Sequence, residues 1–290
     1  METLVKSESI LHDVITVLPE INQYHSVNSN LYKFLNKIVI SEIETIYSKV
    51  NQFNFSVFGK IEIPYISFGA INTKDLFGLD EFIIFSYYDK MRGKYNTAID
   101  LGANIGLHSV LMSKCFHTVI SFEPDDYHFS ILSDVIEKNN TSNVILNKMA
   151  ISSIEGELEF TRVKGNTTGS HISGSKQLVY GETDKFNVQC TTLEAVINKY
   201  KPDFIKMDIE GQEKDVLLAT SIDALKNIDM IIEVSSEKNA EELFNYFKNS
   251  GINLFSQKTN WKKVECKEDM PYSYKHGSLF ISTKAKMDWN

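Results

Sequence analysis

Thr97-Ala98-Ile99-Asp100-Leu101-Gly102-Ala103-Asn104-Ile105-Gly106 is the stretch whose reading decides the fold. Thr97–Leu101 reads as a short buried strand, and Gly102 ends it. A glycine there lets the chain turn sharply and lets a ligand come close to the backbone. Gly106 lets the next helix, read as Ile105–Cys115, pack against that strand, and the helix start presents free N–H groups. Working outward, the same alternation continues. Strands are expected at Thr118–Phe122, Val144–Met149, Asp203–Met207 and Asp229–Val234, and Ile252–Ser256 and Ser278–Thr283 close the chain. Helices are expected at Asp125–Asn139, with Asp125 near the N-cap, at 211–219, and at Glu237–Ser250, stopped by Gly251. Strands alternating with helices mean parallel βαβ units with right-handed crossovers. A doubly wound sheet takes its ligand at the carboxyl ends of the strands, where strand order reverses. That rule places Gly102–Gly106, Glu123-Pro124, Met149–Ile151 and Asp208–Gly211 on one rim.

Glu123 ends the second strand, 21 residues after Gly102 (123 − 102), the span of one βαβ step. A carboxylate there accepts hydrogen bonds from both hydroxyls of a ribose. Two nucleoside cofactors compete for such a rim. The dinucleotide fingerprint G-x-G-x-x-G seats a pyrophosphate, but this turn reads Gly102-Ala103-Asn104-Ile105-Gly106, with Asn104 in place of the middle glycine. Asp100 precedes it, and a carboxylate repels phosphate while suiting a cationic amine. S-adenosylmethionine has an α-amino group, a sulfonium and a ribose, and no phosphate, so the charge pattern favours it over NAD.

Asp100–Gly106 (DLGANIG), Ser121–Pro124 (SFEP), Ala150–Ser152, Thr191–Glu194 and Asp203–Glu213 (DFIKMDIEGQE) together resemble the FkbM family of S-adenosylmethionine-dependent methyltransferases. The resemblance covers about residues 97–235. It implies a class I methyltransferase fold, α/β and doubly wound, with seven strands and the last antiparallel. It also implies O-methylation, most often of a sugar, glycan or polyketide hydroxyl. Carried over by position, Gly102, Ala103, Asn104 and Gly106 line the methionine part, Glu123 takes the ribose and the segment around Met149-Ala150 lines the adenine; Asp100, Pro124 and Asp208, the last near the sulfonium, are also expected to contact the cofactor. Many relatives in the wider superfamily place an acidic residue after the third strand. Here Met149-Ala150 stands in that place, so the contact is apolar or made by backbone.

Lys206-Met207-Asp208-Ile209-Glu210-Gly211 straddles the end of the fourth strand. Alternation puts Lys206 and Asp208 on one side. An alcohol is a weak nucleophile, so a base within reach accelerates methyl transfer by about 10²–10⁴. Asp208 is the first candidate for that base or for orienting the acceptor. Glu210 follows, then His108, which also reads as a packed or capping residue. Glu233 ends the fifth strand, and three carboxylates (Asp208, Glu210, Glu233) would suit a hard divalent cation. No ligand motif of fixed spacing supports one, and no metal residue is assigned.

Residues 1–90 lie outside the resemblance and read as an N-terminal extension beside a methyltransferase domain at 91–290. Leu31, Phe34, Leu35, Ile38, Ile46 and Val50 form an apolar stripe at helical spacing, with Asn28, Ser29 or Asn30 as its cap. The stripe serves core packing, a homodimer contact or a lid. Short β runs at Phe53–Phe58 and Ile61–Phe68 follow, with Gly59 as turn and Pro64 as edge marker, and then a helix near Leu79–Lys90. Between the third and fourth strands, Glu157–Arg162 and Asn187–Cys190 read as a β pair. The glycine- and hydroxyl-rich segment 165–181 between them is either a lid, with Thr167, Ser170 and His171 as substrate contacts and Lys176 in its mobile part, or a surface insertion.

The chain has 290 residues, 42% hydrophobic and 23% charged, an ordinary globular composition. Its net charge of −8, without a basic run, argues against nucleic-acid partners. Apolar stretches such as Phe82–Phe85 are too short to span a bilayer. Cys115, Cys190 and Cys266 fit neither a disulfide framework nor a zinc spacing, so a reducing, cytoplasmic setting is expected. The expected partner is a small-molecule or glycan acceptor. A cofactor-binding regulatory module without catalysis and an NAD-type dehydrogenase are the alternatives.

Overall fold

The computed structural model describes residues 2–48, 52–175 and 182–289. The first ninety residues supply helices α1 (Glu2–Val17), α2 (Asn30–Tyr47) and α3 (Leu79–Lys90) and an antiparallel pair, β1 (Gln52–Asn54) and β2 (Lys60–Glu62). Then come β3 (Thr97–Leu101), α4 (Leu107–Ser113), β4 (Thr118–Phe122), α5 (Asp126–Lys138) and β5 (Val144–Asn147). An inserted sheet follows: β6 (Ala150–Ser152), β7 (Gly156–Val163), β8 (His171–Ile172) and β9 (Thr183–Thr192). The chain ends with α6 (Leu193–Tyr200), β10 (Phe204–Met207), α7 (Glu213–Leu218), α8 (Ile222–Leu225), β11 (Asp229–Ile232), α9 (Glu237–Phe247), β12 (Asn253–Ser256), β13 (Lys262–Lys263) and β14 (Leu279–Ser282).

The main sheet runs β13-β12-β14-β11-β10-β3-β4-β5. β10, β3, β4, β5 and β11 pair in parallel, and β14 runs antiparallel between β11 and β12. Seven of these strands form the expected class I methyltransferase sheet. The eighth, β13, is a two-residue edge strand, Lys262 and Lys263, hydrogen-bonded to β12. The expected seven thus becomes eight, because a turn after β12 adds a short charged edge. Strand order reverses between β3 and β10, which places the ligand crevice there.

Every residue of β3, β10, β11 and β14 is buried, as a sheet covered on both faces requires. Alternation sends Ala98 and Phe204 to one face and Ile99 and Ile205 to the other. The second face packs against residues of α6, α7 and α9, including Val196, Leu217 and Leu243. The first face packs against α4 and the N-terminal segment, with Leu11, Val39, Phe82 and Phe85 in one continuous core. In α3, Phe82 through Tyr88 are buried without interruption, so its middle turns meet the core all round. Such a helix belongs inside a core rather than on a surface.

The stripe on α2 is corrected by the packing. Tyr32, Val39, Ile43 and Ile46 are its buried residues, while Phe34 is 60% exposed. Apolar residues occur nearly all round this helix, so periodicity alone did not decide which face turns inward. Ser29 is its N-cap by position, with no side-chain capping bond; Val50 lies outside the described residues. Of the two β runs, only 52–54 and 60–62 pair. A 3-10 turn at Ser56–Phe58 and Gly59, at φ +75, intervene. α4 begins two residues later than expected, because Gly102, Asn104 and Gly106 all take positive φ (+78, +51 and +91), which an α-helix does not accommodate. β5 stops at Asn147 because Ala150–Ser152 leaves for the inserted sheet, pairing with Cys190–Thr192.

In the inserted sheet β7 and β9 pair from Gly156↔Cys190 to Val163↔Thr183, a longer ladder than expected. Arg162 on β7 ties this sheet to the main one through a two-pronged bond to Asp125 (2.6 and 2.8 Å), the residue that caps α5. Residues 68–70 lock against residues 165–167. Ala70 N–H donates to Gly165 O (2.7 Å) and Thr167 N–H to Phe68 O (2.9 Å). No helix among the described residues is long and apolar enough to cross a membrane.

Candidate active site

Three adjoining cavities open at the carboxyl ends of β3, β4 and β10. The first, about 190 Å³, is walled by Gly102, Asn104, Phe122, Glu123, Pro124, Met149, Ala150 and Asp208, and roofed by Leu76, Thr167, Thr168 and Ser170. The second, about 590 Å³, lies between α3, β10 and β11 and includes Lys206, Asp208, Glu210 and Glu233. A third, about 90 Å³, sits between them against Gly102, Ala103, Asn104, His108, Lys206 and Asp208. Asp208 lines all three.

The turn after β3 is shaped by close backbone approach. A Cβ at Gly102 would stand 1.8 Å from Asp208 O, so only glycine lets the two loops meet. Glu123, 7% exposed, accepts from Asn104 N–H and from Asp125 N–H, each at 2.9 Å. Burial lifts its carboxyl to about 8, against the pull of those two N–H groups. Each of its oxygens still has acceptor capacity toward the cavity. Near the small cavity, Asn104 Oδ1 and Asp208 Oδ1 are sealed from solvent without a hydrogen-bond partner among the described residues. Buried unpartnered acceptors are costly, and these two fit a ligand that carries donors.

Two predicted cofactor residues stand behind the cavity walls rather than in them. Asp100 is fully buried, and its Oδ2 accepts from Ser109 Oγ at 2.6 Å. Alternation along β3 points it under the turn, beside its register partner Lys206. It acts on the site through charge. Gly106 backs onto α5, where an added Cβ would meet Leu132 at 2.7 Å. The close packing it permits is against α5, not between its own helix and β3 as the sequence suggested.

At the reacting end, Lys206 is 7% exposed and its Nζ lies 3.4 Å from Asp208 Oδ2. Burial alone would lower its ammonium, but Asp208, Asp100 and Glu81 outweigh burial and hold it above the usual lysine range. The loop that carries Asp208 is organised by Glu213, which the sequence reading passed over. Its carboxylate accepts from Ile209 N–H (2.8 Å) and Gly211 N–H (3.0 Å), and burial raises it to about 7. The available signal was an acidic residue two positions after a glycine turn. Glu210 takes φ +56 in this loop and faces the first two cavities. His108 is clasped: Nδ1 lies 2.8 Å from Tyr88 Oη and Nε2 3.0 Å from Glu81 Oε2.

Glu233 lines the large cavity. Burial raises its carboxyl well above the ordinary range, and Asp208, Glu210, Glu213 and Glu81 add to the effect. The carboxylates thus share a neighbourhood, yet among the described residues no group of three His, Cys, Asp or Glu is placed to hold a metal ion. Thr167 Oγ1 pairs with His128 Nε2 at 2.9 Å, and with Ser170 it roofs the first cavity. His171 is buried, with Nδ1 2.9 Å from Gly169 O, and does not line that cavity. Lys176 lies outside the described residues.

Strand order, antiparallel last strand and crevice at the β3/β10 switch define a class I methyltransferase fold. The family model for the methyltransferase FkbM domain matches residues 100–256. The chain belongs to the FkbM methyltransferase family. Similar solved structures include methyltransferase FkbM of Methylobacillus flagellatus KT, with 16% identity over 64% of this chain and 43% of that one, TM-score 0.41. The match therefore spans less than half of that protein's length. Another is a methyltransferase of Streptococcus mutans in complex with SAH, with 12% identity over 69% of this chain and 94% of that one, TM-score 0.40. The METTL16 methyltransferase domain shares 13% identity over 71% and 67%, TM-score 0.42. No curated protein matches.

Proposed function

We propose that this protein transfers a methyl group from S-adenosylmethionine to a hydroxyl oxygen of a sugar, glycan or related secondary metabolite. The observation that carries the reading is the meeting of three cavities at Asp208, beside the unpartnered Asn104 Oδ1 and the Gly102 close approach. Those features fit the cofactor. The Glu123 carboxylate would take the ribose hydroxyls, Met149 and Ala150 would face the adenine, and Asn104 Oδ1 would accept from the α-ammonium. When bound, S-adenosylmethionine supplies an electrophilic methyl on a sulfonium.

The chain's own groups do the rest. Asp208 Oδ1 accepts the hydrogen bond of the incoming hydroxyl and takes its proton, a contribution of about 10²–10⁴ in rate. Lys206 supports the Asp208 carboxylate from inside the sheet. Glu210, held in a strained turn, contacts the acceptor beside it. His108, clasped by Tyr88 and Glu81, positions Glu81 at the cavity edge. The roof of Leu76, Thr167 and Ser170 keeps water off the cofactor cavity.

The test combines titration of S-adenosylhomocysteine with transfer of labelled methyl to a fractionated native extract. Binding and alkali-stable label on oxygen are expected. Failure of properly folded protein to bind the cofactor product at millimolar concentration would overturn the assignment.

A further inference from the structure

The large cavity carries information about the acceptor that the proposed O-methyl transfer leaves open. This inference rests on that reading. Asp75, Asp80, Glu81, Asp208, Glu210 and Glu233 line it, contributed by the N-terminal segment, by the β10 loop and by the end of β11. Against these six carboxyl groups stands one ammonium, Lys206. Its charge is already engaged by Asp208 at 3.4 Å and by Asp100 beneath it. An independent observation points to a donor-bearing occupant. Asp208 Oδ1 is sealed from solvent and meets no hydrogen-bond donor among the described residues, whereas Glu81 Oε2 is engaged by His108 Nε2 at 3.0 Å.

We infer that the methyl acceptor carries a protonated amine as well as its hydroxyl, and bears no phosphate or carboxylate group. An anionic acceptor would meet repulsion from the six carboxyl groups and, among the described residues, no free cation in the lining, the arrangement that excludes wrong partners. A neutral polyol would satisfy the unpartnered Asp208 oxygen, but it would leave unrelieved the mutual repulsion that, with burial, already raises Asp80 and Glu233. An ammonium does both. Asp80 supports the same picture: burial lifts its carboxyl to about 7 and the neighbouring Glu81 adds to it. A bound cation relieves that repulsion. The acceptor amine sits among Asp80, Glu81 and Glu233, while the hydroxyl faces Asp208.

The low-mass fraction of a native extract, split beforehand on cation and anion exchangers, is incubated with the protein and methyl-labelled S-adenosylmethionine. Labelled product is expected from the pool held by the cation exchanger. Label arising from the anionic or unretained pool overturns the inference while leaving O-methyl transfer intact. Label on nitrogen in the cationic pool keeps the inferred charge and overturns the O-methyl reading. A measurement without turnover accompanies it: titration of the S-adenosylhomocysteine-loaded protein with glucosamine, glucose and glucose 6-phosphate. Glucosamine is expected to bind at least about tenfold more tightly than the other two, with the margin shrinking in Glu233→Gln and Asp80→Asn. Equal affinities, preference for the phosphate, or no binding by glucosamine count against the inference.

Discussion

A methyl group at position 102 would stand 1.8 Å from the Asp208 carbonyl, on a residue at φ +78. Gly102→Ala is therefore expected to cost at least about 1–3 kcal/mol from the backbone alone, and to separate the two loops that carry the site. A thermal melt with cofactor titration checks it, and unchanged melting and binding would refute the close approach. Glu123 makes a finer prediction. Replacing its carboxylate by Gln is expected to weaken S-adenosylhomocysteine binding about 10- to 100-fold, the worth of hydrogen bonds to a charged acceptor. Since burial holds its carboxyl near 8 and ribose hydroxyls favour the ionised form, binding expels a proton below that pH. Affinity is then expected to weaken by up to about tenfold per unit as pH falls below 8. A flat pH profile in titration calorimetry would exclude this role. Glu123 was legible because its offset from Gly102 is a property of one βαβ step. Glu213 and Glu81 were not, because what they touch is set by a loop fold and by a helix far away in sequence.

The inserted sheet meets the main sheet and the N-terminal segment through identifiable contacts at Arg162 and at residues 165–167, so single changes there report on them. Asp125 keeps 2% of its side chain in water, and Arg162 keeps 23%. Arg162→Met is expected to leave that carboxylate without its cation and to cost up to about 3 kcal/mol. A loss below about 0.5 kcal/mol in denaturant unfolding would show that the fork is a rim contact. Gly69, at φ +105, abuts Gly165 so closely that a Cβ would lie 2.2 Å from its carbonyl oxygen. Gly69→Ala is expected to open the roof: limited proteolysis near residues 165–170 accelerates and cofactor affinity drops, while the core melts close to the parent temperature. Unaltered cleavage would mean that the two segments do not depend on each other. Strands and helices of the parallel sheet were readable from alternation and glycine stops, to within a few residues at their ends. The roof was not, since its bonds join residues about a hundred positions apart.

For the molecule as a whole, buried titratable groups set the pH response. Glu123, Glu213 and Asp80 are raised to about 8, 7 and 7. Each binds its proton more tightly folded than unfolded, so its stabilising effect is full at acid pH and lost as pH rises through those values. Burial lowers His25 and His128 from 6.5 to about 4, and both lose their effect as pH falls below 6.5. Between pH 6.5 and 8 the folded histidines are neutral while the unfolded ones shed their remaining charge, and the three raised acids, which hold more protons in the folded state, outweigh them. The melting temperature of ligand-free protein is expected to fall across that interval, and calorimetry showing a rise would contradict the assignment of these buried acids.

Local order along the chain pointed by itself to the class of this protein: a buried strand, a glycine turn, a helix and an acid one βαβ step later are the pattern of a doubly wound sheet with its crevice at the strand ends. The eighth strand, the inward face of α2 and the ring of carboxyls in the large cavity were decided only by tertiary structure. They depend on which distant segments find room against the sheet, and burial and charge summed over several elements cannot be read from any one of them.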